Sequence, residues 1–162
     1  MQPMPEALNL DYRVAEPNDL DGLCALYEMF FEESALPKLG LEIDIERGRR
    51  WVARAIETNH PTQLIAVESN SDNFVVGVLG FDFDHTATVK PFAYLDKFYV
   101  HRNWRLSKVG STLLMVATDL AKSEGAVAFR AGLSAGIPGA DTLFRAAGFT
   151  ETPHSVLFEM RF

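Results

Sequence analysis

The chain has a single cysteine, Cys24, so it cannot close a disulfide within itself. On a helical stretch this residue reads as a small core filler, and the lone thiol suits a reducing, cytoplasmic setting. No apolar run approaches the ~20 residues needed to span a bilayer, so no membrane association is expected. The first ten residues have neither a basic start nor an apolar stretch, and no export signal is expected from them. Basic residues are outnumbered, with 15 Lys and Arg against 22 Asp and Glu for a net charge of −7, which argues against a general nucleic-acid binder. The four histidines (His60, His85, His101 and His154) are scattered and lack cysteine or carboxylate partners at ligand spacing, so no metal is expected. Neither Gly-x₄-Gly-Lys-Ser/Thr nor Gly-x-Gly-x-x-Gly occurs, which sets aside the common nucleotide loops.

What the chain does have is an uneven charge distribution. Residues 97–118 contain no Asp or Glu, yet hold Lys97, His101, Arg102, Arg105 and Lys108. A basic segment in an acidic protein is a place to hold an anion. The hydrophobic pattern predicts a strand over residues 12–15, then a helix after Pro17 on which Leu20, Leu23, Tyr27 and Phe30 recur at helical spacing. A second helix is expected over 44–57 with Ile45, Val52 and Ile56 on one side, then strands over 63–67, 74–83 and 92–100. A helix over 109–122 with Val109, Leu113, Val116 and Leu120 on one stripe ends at Gly125. A strand over 127–130, a short helix over 139–147 and a final strand over 156–162 follow. Hairpin-like spacing in the middle and a strand–helix–strand unit after it predict a mixed α/β fold, mostly antiparallel, in a single domain over 1–162.

The stretch from Tyr94 to Ser111 carries the chemistry: an aromatic-rich strand runs into a basic loop, and the loop opens a helix. The first amides of a helix have no intrahelical partner and carry partial positive charge, so phosphate binds there. Gly110 lets a ligand approach the backbone, and Arg105 and Lys108 can add charge-assisted contacts.

Arg105-Leu106-Ser107-Lys108-Val109-Gly110, preceded by Phe98-Tyr99-Val100, resembles the pyrophosphate loop Arg/Gln-x-x-Gly-x-Gly/Ala of the GNAT acetyltransferases, with Lys108 where the first glycine is usual. Tyr94 to Val100 is similar to the central strand of the diamine acetyltransferase branch, with Asp96 at its glutamate. Phe144-Arg145-Ala146-Ala147-Gly148-Phe149 resembles the family's Tyr-x-x-x-Gly-Phe near the C-terminus. The resemblance implies a GNAT-like fold with a sheet of 6–7 strands, splayed between the fourth and fifth. It implies acetyl-CoA as cosubstrate, with pantetheine on main-chain groups of Phe98, Tyr99 and Val100. The diphosphate would then meet the amides of Leu106, Ser107, Lys108, Val109, Gly110 and Ser111. It implies transfer to a primary amine on a small molecule or peptide, and a homodimer as one assembly open to the chain.

An amine acceptor is protonated at neutral pH, so a base must take its proton. Asp96 is the candidate, directly or through water with Tyr94 as a relay. Alternation places Tyr94, Asp96, Phe98 and Val100 on one strand face, where the aromatics would raise the carboxyl's pKa. The alternative for Asp96 is an ion pair with Lys97 or Arg102. Asp82 and Asp84 either meet a cationic acceptor or are exposed carboxylates at a strand end. Phe144 stands where the family often has a tyrosine that protonates the departing thiolate, leaving Ser134, Tyr99 or solvent for that task. Ile137 replaces an asparagine that touches CoA in the family. These departures keep a second function open, a CoA-binding or sensing module with little chemistry. A third is a serine hydrolase on Gly132-Leu133-Ser134-Ala135-Gly136, with Asp141 and His154 following, although the hairpins leave no parallel crossovers to build its sheet. The segments 31–43 and 84–91 are expected to shape the acceptor pocket.

Overall fold

A computed structural model of the chain describes residues 9–34, 36–70, 74–86, 88–132 and 139–152. The chain divides into two compact units, Met1–Gly132 and Leu133–Phe162. In the first, β1 (Leu10–Val14) leads through a short 3₁₀ turn into α1 (Leu20–Glu33) and then α2 (Ile45–Thr58). β2 (Thr62–Glu68), β3 (Val75–Asp84) and β4 (Phe92–Val100) follow, then α3 (Val109–Ser123) and β5 (Ala128–Arg130). The strands lie in the order β1-β2-β3-β4-β5, antiparallel from β1 to β4 and parallel between β4 and β5. Five strands are therefore described rather than the expected six to seven. The missing expected strand, 156–162, lies outside the described residues.

Local chemistry sets the helix ends. At the turn before α1, the Asp19 carboxylate accepts the Glu16 N–H at 2.7 Å and both guanidinium nitrogens of Arg13, at 2.6 and 2.9 Å. Asp44 caps α2 by accepting the Arg47 N–H at 2.8 Å. Gly125, at φ +85°, ends α3 in the left-handed region while the Ala126 N–H reaches back to the Ala121 carbonyl at 3.0 Å.

The two helical layers lie on opposite sides of the sheet. Leu23, Cys24, Leu26 and Tyr27 of α1 and Val52 of α2 form one cluster with Ile65, Val78 and Tyr99. Cys24 is buried within it, and burial pushes its thiol pKa up. Tyr27 donates to the buried Gln63 Oε1 at 2.6 Å, and Gln63 Nε2 donates to the Pro61 carbonyl at 3.0 Å, so this sealed polar pair is satisfied. On the other side α3 rests on β3, with Val109, Leu113, Leu114, Ala117 and Ala121 buried. The buried stripe includes Ala117 and Ala121 in place of the expected Val116 and Leu120, because small residues let the helix approach the strand.

Gly77 is where that approach is closest. A Cβ there would lie 2.9 Å from Leu113 Cδ1 and 3.0 Å from Val109 Cγ1. The leucine end can swing aside, but the β-branched Val109 cannot easily do so. Gly77→Ala is expected to lower the unfolding free energy by about 1–2 kcal/mol, read by urea denaturation. An unchanged midpoint would show that α3 lifts freely from the sheet.

The second unit, among its described residues, contains α4 (Ala140–Ala146), entered through Gly139 at φ +80°. The rings of Phe144 and Phe149 meet edge-on at 5.1 Å, and Arg145 pairs with Asp141 at 2.8 Å and Glu151 at 3.0 Å.

Candidate active site

β5 pairs with Phe92, Ala93 and Tyr94, three of the nine residues of β4, and ends at Arg130 opposite Tyr94. The continuation of the chain past Gly132, where the expected splay between the fourth and fifth strands would lie, is outside the described residues. β4 then leads into a tight turn, Arg102–Trp104, and the basic loop before α3.

The strand is not a regular ribbon. Gly80 faces Lys97 and Phe81 faces Leu95, so Asp96 is an extra residue, a β-bulge in β4. Across the bulge the alternation changes phase. Phe98 and Val100 stand opposite Leu79 and Gly77, on the α3 side, whereas Tyr94 stands opposite Asp82 and Tyr99 opposite Val78, on the α1–α2 side. The expected common face of Tyr94, Asp96, Phe98 and Val100 is thus overturned, because a bulge interrupts the two-residue period.

The bulge also brings the consecutive side chains of Asp96 and Lys97 together. Lys97 Nζ lies 2.9 Å from Asp96 Oδ2 and 4.4 Å from the centre of the Trp51 ring on α2. Side chains of both are about a quarter to a third exposed, at 30% and 23%. Asp96 is therefore ion-paired in the free protein rather than isolated among aromatics. Tyr27 stands edge-on to Trp51 at 5.7 Å, and its hydroxyl pKa is pushed up by burial and then by the Asp96 charge. Tyr94 is 41% exposed, its pKa raised by burial and then by Asp82, Asp96 and Asp84. Asp82 meets His60 Nδ1 at 3.2 Å, and Asp84 is held by Thr86, whose hydroxyl and amide lower its carboxyl pKa.

In the loop before α3, Arg105 is already engaged. Its Nε donates to the Val100 carbonyl at 3.1 Å, its Nη2 donates to the Glu33 carboxylate on α1, and its guanidinium sits 5.2 Å from the Tyr99 ring. Arg105 accordingly ties α1 to the loop rather than presenting a free charge. The Arg105 hydrogen bond, before lesser effects, holds the Glu33 carboxyl below its ordinary pKa. Tyr99 is buried, and its hydroxyl makes no hydrogen bond of good geometry. Burial and then the neighbouring Glu33 push its pKa up to about 12. Burial, then Arg102 and Arg105, lower the His101 pKa, and its Nδ1 accepts the Asn103 N–H at 3.2 Å.

Leu106, Ser107, Lys108 and Ser111 are exposed, and Val109 and Gly110 are buried. Leu106 holds φ +63°, an uncommon conformation for a leucine. The α3 first turn contains no acidic residue, and Lys108 at its N-cap supplies no side-chain cap. Ser107 Oγ accepts the Val109 N–H at 3.3 Å. An exposed, positively polarised helix mouth with this make-up fits a diphosphate.

Ser134, Ile137 and His154 lie outside the described residues, and the Asp141 carboxylate is taken by Arg145. Among the described residues no group of three or more His, Cys, Asp or Glu could hold a metal, and no helix is long and apolar enough to cross a membrane. Two residues of the site carried no signal in the sequence. Glu33 is 72 positions from Arg105, and Trp51 lies on a helix distant in sequence from Lys97. No local spacing rule relates positions so far apart.

The fold and the site together define an acyltransferase of one superfamily. The model of the acetyltransferase (GNAT) family matches residues 21–149, and the chain belongs to that family. Solved structures agree in fold. One, "a probable acetyltransferase", is 19% identical with a TM-score of 0.78, covering 95% of this chain and 97% of its own. The aminoglycoside N-acetyltransferase AAC(6')-Iy, solved with CoA, is 15% identical with a TM-score of 0.77 over 98% of this chain and 99% of its own. The same enzyme with the bisubstrate analogue CoA-S-monomethyl-acetylneamine is 16% identical with a TM-score of 0.74, over 95% and 99%. No curated protein matches the sequence.

Proposed function

We propose that this protein transfers an acetyl group from acetyl-CoA to a primary amine by direct transfer in a ternary complex. The observation that carries the reading is the central strand β4, paired with β5 only as far as Tyr94 and leading into the basic, exposed loop at the mouth of α3. Relatives of the same fold are solved with CoA and with a CoA–amine analogue, which supports both cosubstrates. Main-chain groups of Phe98, Tyr99 and Val100 would run beside the pantetheine. Amides between Leu106 and Ser111, with the Lys108 charge, would hold the diphosphate.

When bound, acetyl-CoA supplies the acyl group as an activated thioester. The remaining work falls to the protein. Asp96 takes a proton from the acceptor's ammonium, directly or through water at Tyr94, and so frees the nitrogen lone pair. A main-chain N–H of β4 past Tyr94 meets the negative charge that develops on the carbonyl oxygen. The C–N bond forms as the C–S bond breaks. The amine's second proton leaves with the thiol, and Asp96 returns its proton to water. The likeness of Tyr94–Val100 to the diamine acetyltransferase branch favours a small alkylamine acceptor.

A second reading, a CoA-binding module with little chemistry, is favoured by Phe144. This residue is buried at 4% exposure and has no proton to give a thiolate. The two readings separate by experiment. Acetyl-CoA at ~100 Kd is expected to stabilise the fold by ~2.7 kcal/mol, a rise in Tm of roughly 5–10 °C for a chain of this size. Release of CoA thiol on adding amines then supports transfer. Stabilisation without release by any amine in a broad panel supports the module, and absence of stabilisation overturns both.

A further inference from the structure

Neighbouring strand residues normally point to opposite faces, so consecutive side chains do not meet. The bulge at Asp96 breaks that rule. It turns Asp96 and Lys97 to the same side, where the Lys97 ammonium rests against a carboxylate at 2.9 Å and an indole face at 4.4 Å. A carboxylate beside an aromatic face is a recognition site for an ammonium ion. Here the ion is the protein's own.

We infer that Trp51 and Asp96 form a receptor for the acceptor's alkylammonium group, which Lys97 occupies in the free protein and from which the acceptor displaces it. The inference rests on the reading of Asp96 as the base that serves the acceptor. Three features make the site a receptor rather than a fixed structural pair. Both charged side chains are partly exposed, so an incoming cation has a route. The residue opposite Lys97 is Gly80, which places no side chain beside the lysine stem, and that stem has four rotatable bonds with which to leave. The indole is held independently of Lys97, edge-on to the buried Tyr27 at 5.7 Å, so the aromatic wall remains when the lysine departs. On the neighbouring strand Asp82 stands opposite Tyr94 and Asp84 opposite Phe92, which adds negative potential beside Tyr94. Lys97 is then a specificity-determining residue: a neutral acceptor gains nothing by entering, whereas an ammonium replaces like with like.

The test is calorimetric titration of n-butylammonium chloride into the full chain at fixed ionic strength, with n-butanol as the uncharged control. Lys97→Met removes the resident cation and is expected to tighten n-butylammonium binding about tenfold, the combined scale of one exposed ion pair and one cation–π contact. In that background Trp51→Phe and Asp96→Asn each weaken it again, and n-butanol binds no better to the variant than to the wild type. Lys97→Gln asks the same question should Lys97→Met fold poorly. Unchanged or weaker binding in the lysine variants, or an equal gain for n-butanol, overturns the receptor. A thermal shift with acetyl-CoA separates this result from the function itself. Stabilisation by acetyl-CoA with no gain for n-butylammonium overturns the receptor alone. A gain for n-butylammonium with no acetyl-CoA response upholds the receptor and overturns acetyl transfer.

Discussion

Asp96→Asn is expected to lower turnover of an amine acceptor roughly 10²–10⁴-fold, the usual contribution of a positioned general base. The substitution keeps the side chain's size and one oxygen, so the bulge and its neighbours persist, but the amide cannot take a proton. Acetyl-CoA affinity is expected to stay level, because the proposed cofactor contacts are main-chain groups from Phe98 onward and the mouth of α3. The KM for the amine should rise as well, since the carboxylate that attracts the ammonium is lost. Steady-state kinetics with thiol detection, beside an acetyl-CoA titration, reads all three quantities. A kcat within about threefold of the wild type would place the base elsewhere, with Asp82 beside His60 the next group to replace.

The largest loss of stability is expected from Asp19→Ala. Asp19 is fully buried and receives a two-pronged guanidinium from Arg13 as well as the Glu16 N–H, which joins β1 to the turn that starts α1. Its removal leaves Arg13 only the exposed Asp11 carboxylate at 3.4 Å and the Val14 carbonyl at 3.3 Å, and uncaps the turn. Arg13 is 30% exposed in its side chain, so water compensates part of the loss. The expected cost is about 3 kcal/mol, the low end for breaking a buried pair, or a fall in Tm of roughly 6–12 °C. The pH dependence has a definite sign. Burial raises the Asp19 pKa, but the Arg13 hydrogen bonds and the Glu16 amide outweigh it and hold the carboxyl below its ordinary value. A group depressed in the folded state stabilises fully above the unfolded carboxylate pKa of about 3.9 and loses that contribution as acid protonates it. The gap in urea midpoint between wild type and Asp19→Ala should therefore be wide at pH 7 and narrow below about pH 4. A gap that does not change with pH would show that packing, not charge, accounts for the loss.

The helices and strands of the first unit were largely legible because each announces itself locally. Apolar periodicity gives α1, α2 and α3, aromatic and β-branched runs give β2 to β4, and Pro17, Asp44 and Gly125 mark helix ends. The basic loop before α3 was legible for the same reason, since it is contiguous in sequence. Where reading by period failed, an irregularity had no compositional mark. The bulge at Asp96 inverts the facing of the residues beyond it, yet Asp96 and Lys97 look no different from a regular strand pair. Arg105 looked like a free cation because its partner, Glu33, is far away in the chain.

By itself the sequence determined the order of elements, the basic, carboxylate-free character of residues 97–118 and the likeness of residues 105–110 to the family's loop, all properties of neighbouring residues. Only the tertiary structure decided that Asp96 is paired with Lys97 under Trp51, that Arg105 belongs to Glu33, and that Gly77 must stay bare beneath α3. The physical reason is range. Propensity and periodicity act over a few residues, whereas pairing register, charge partners and close packing are settled between segments that meet only when the chain has folded.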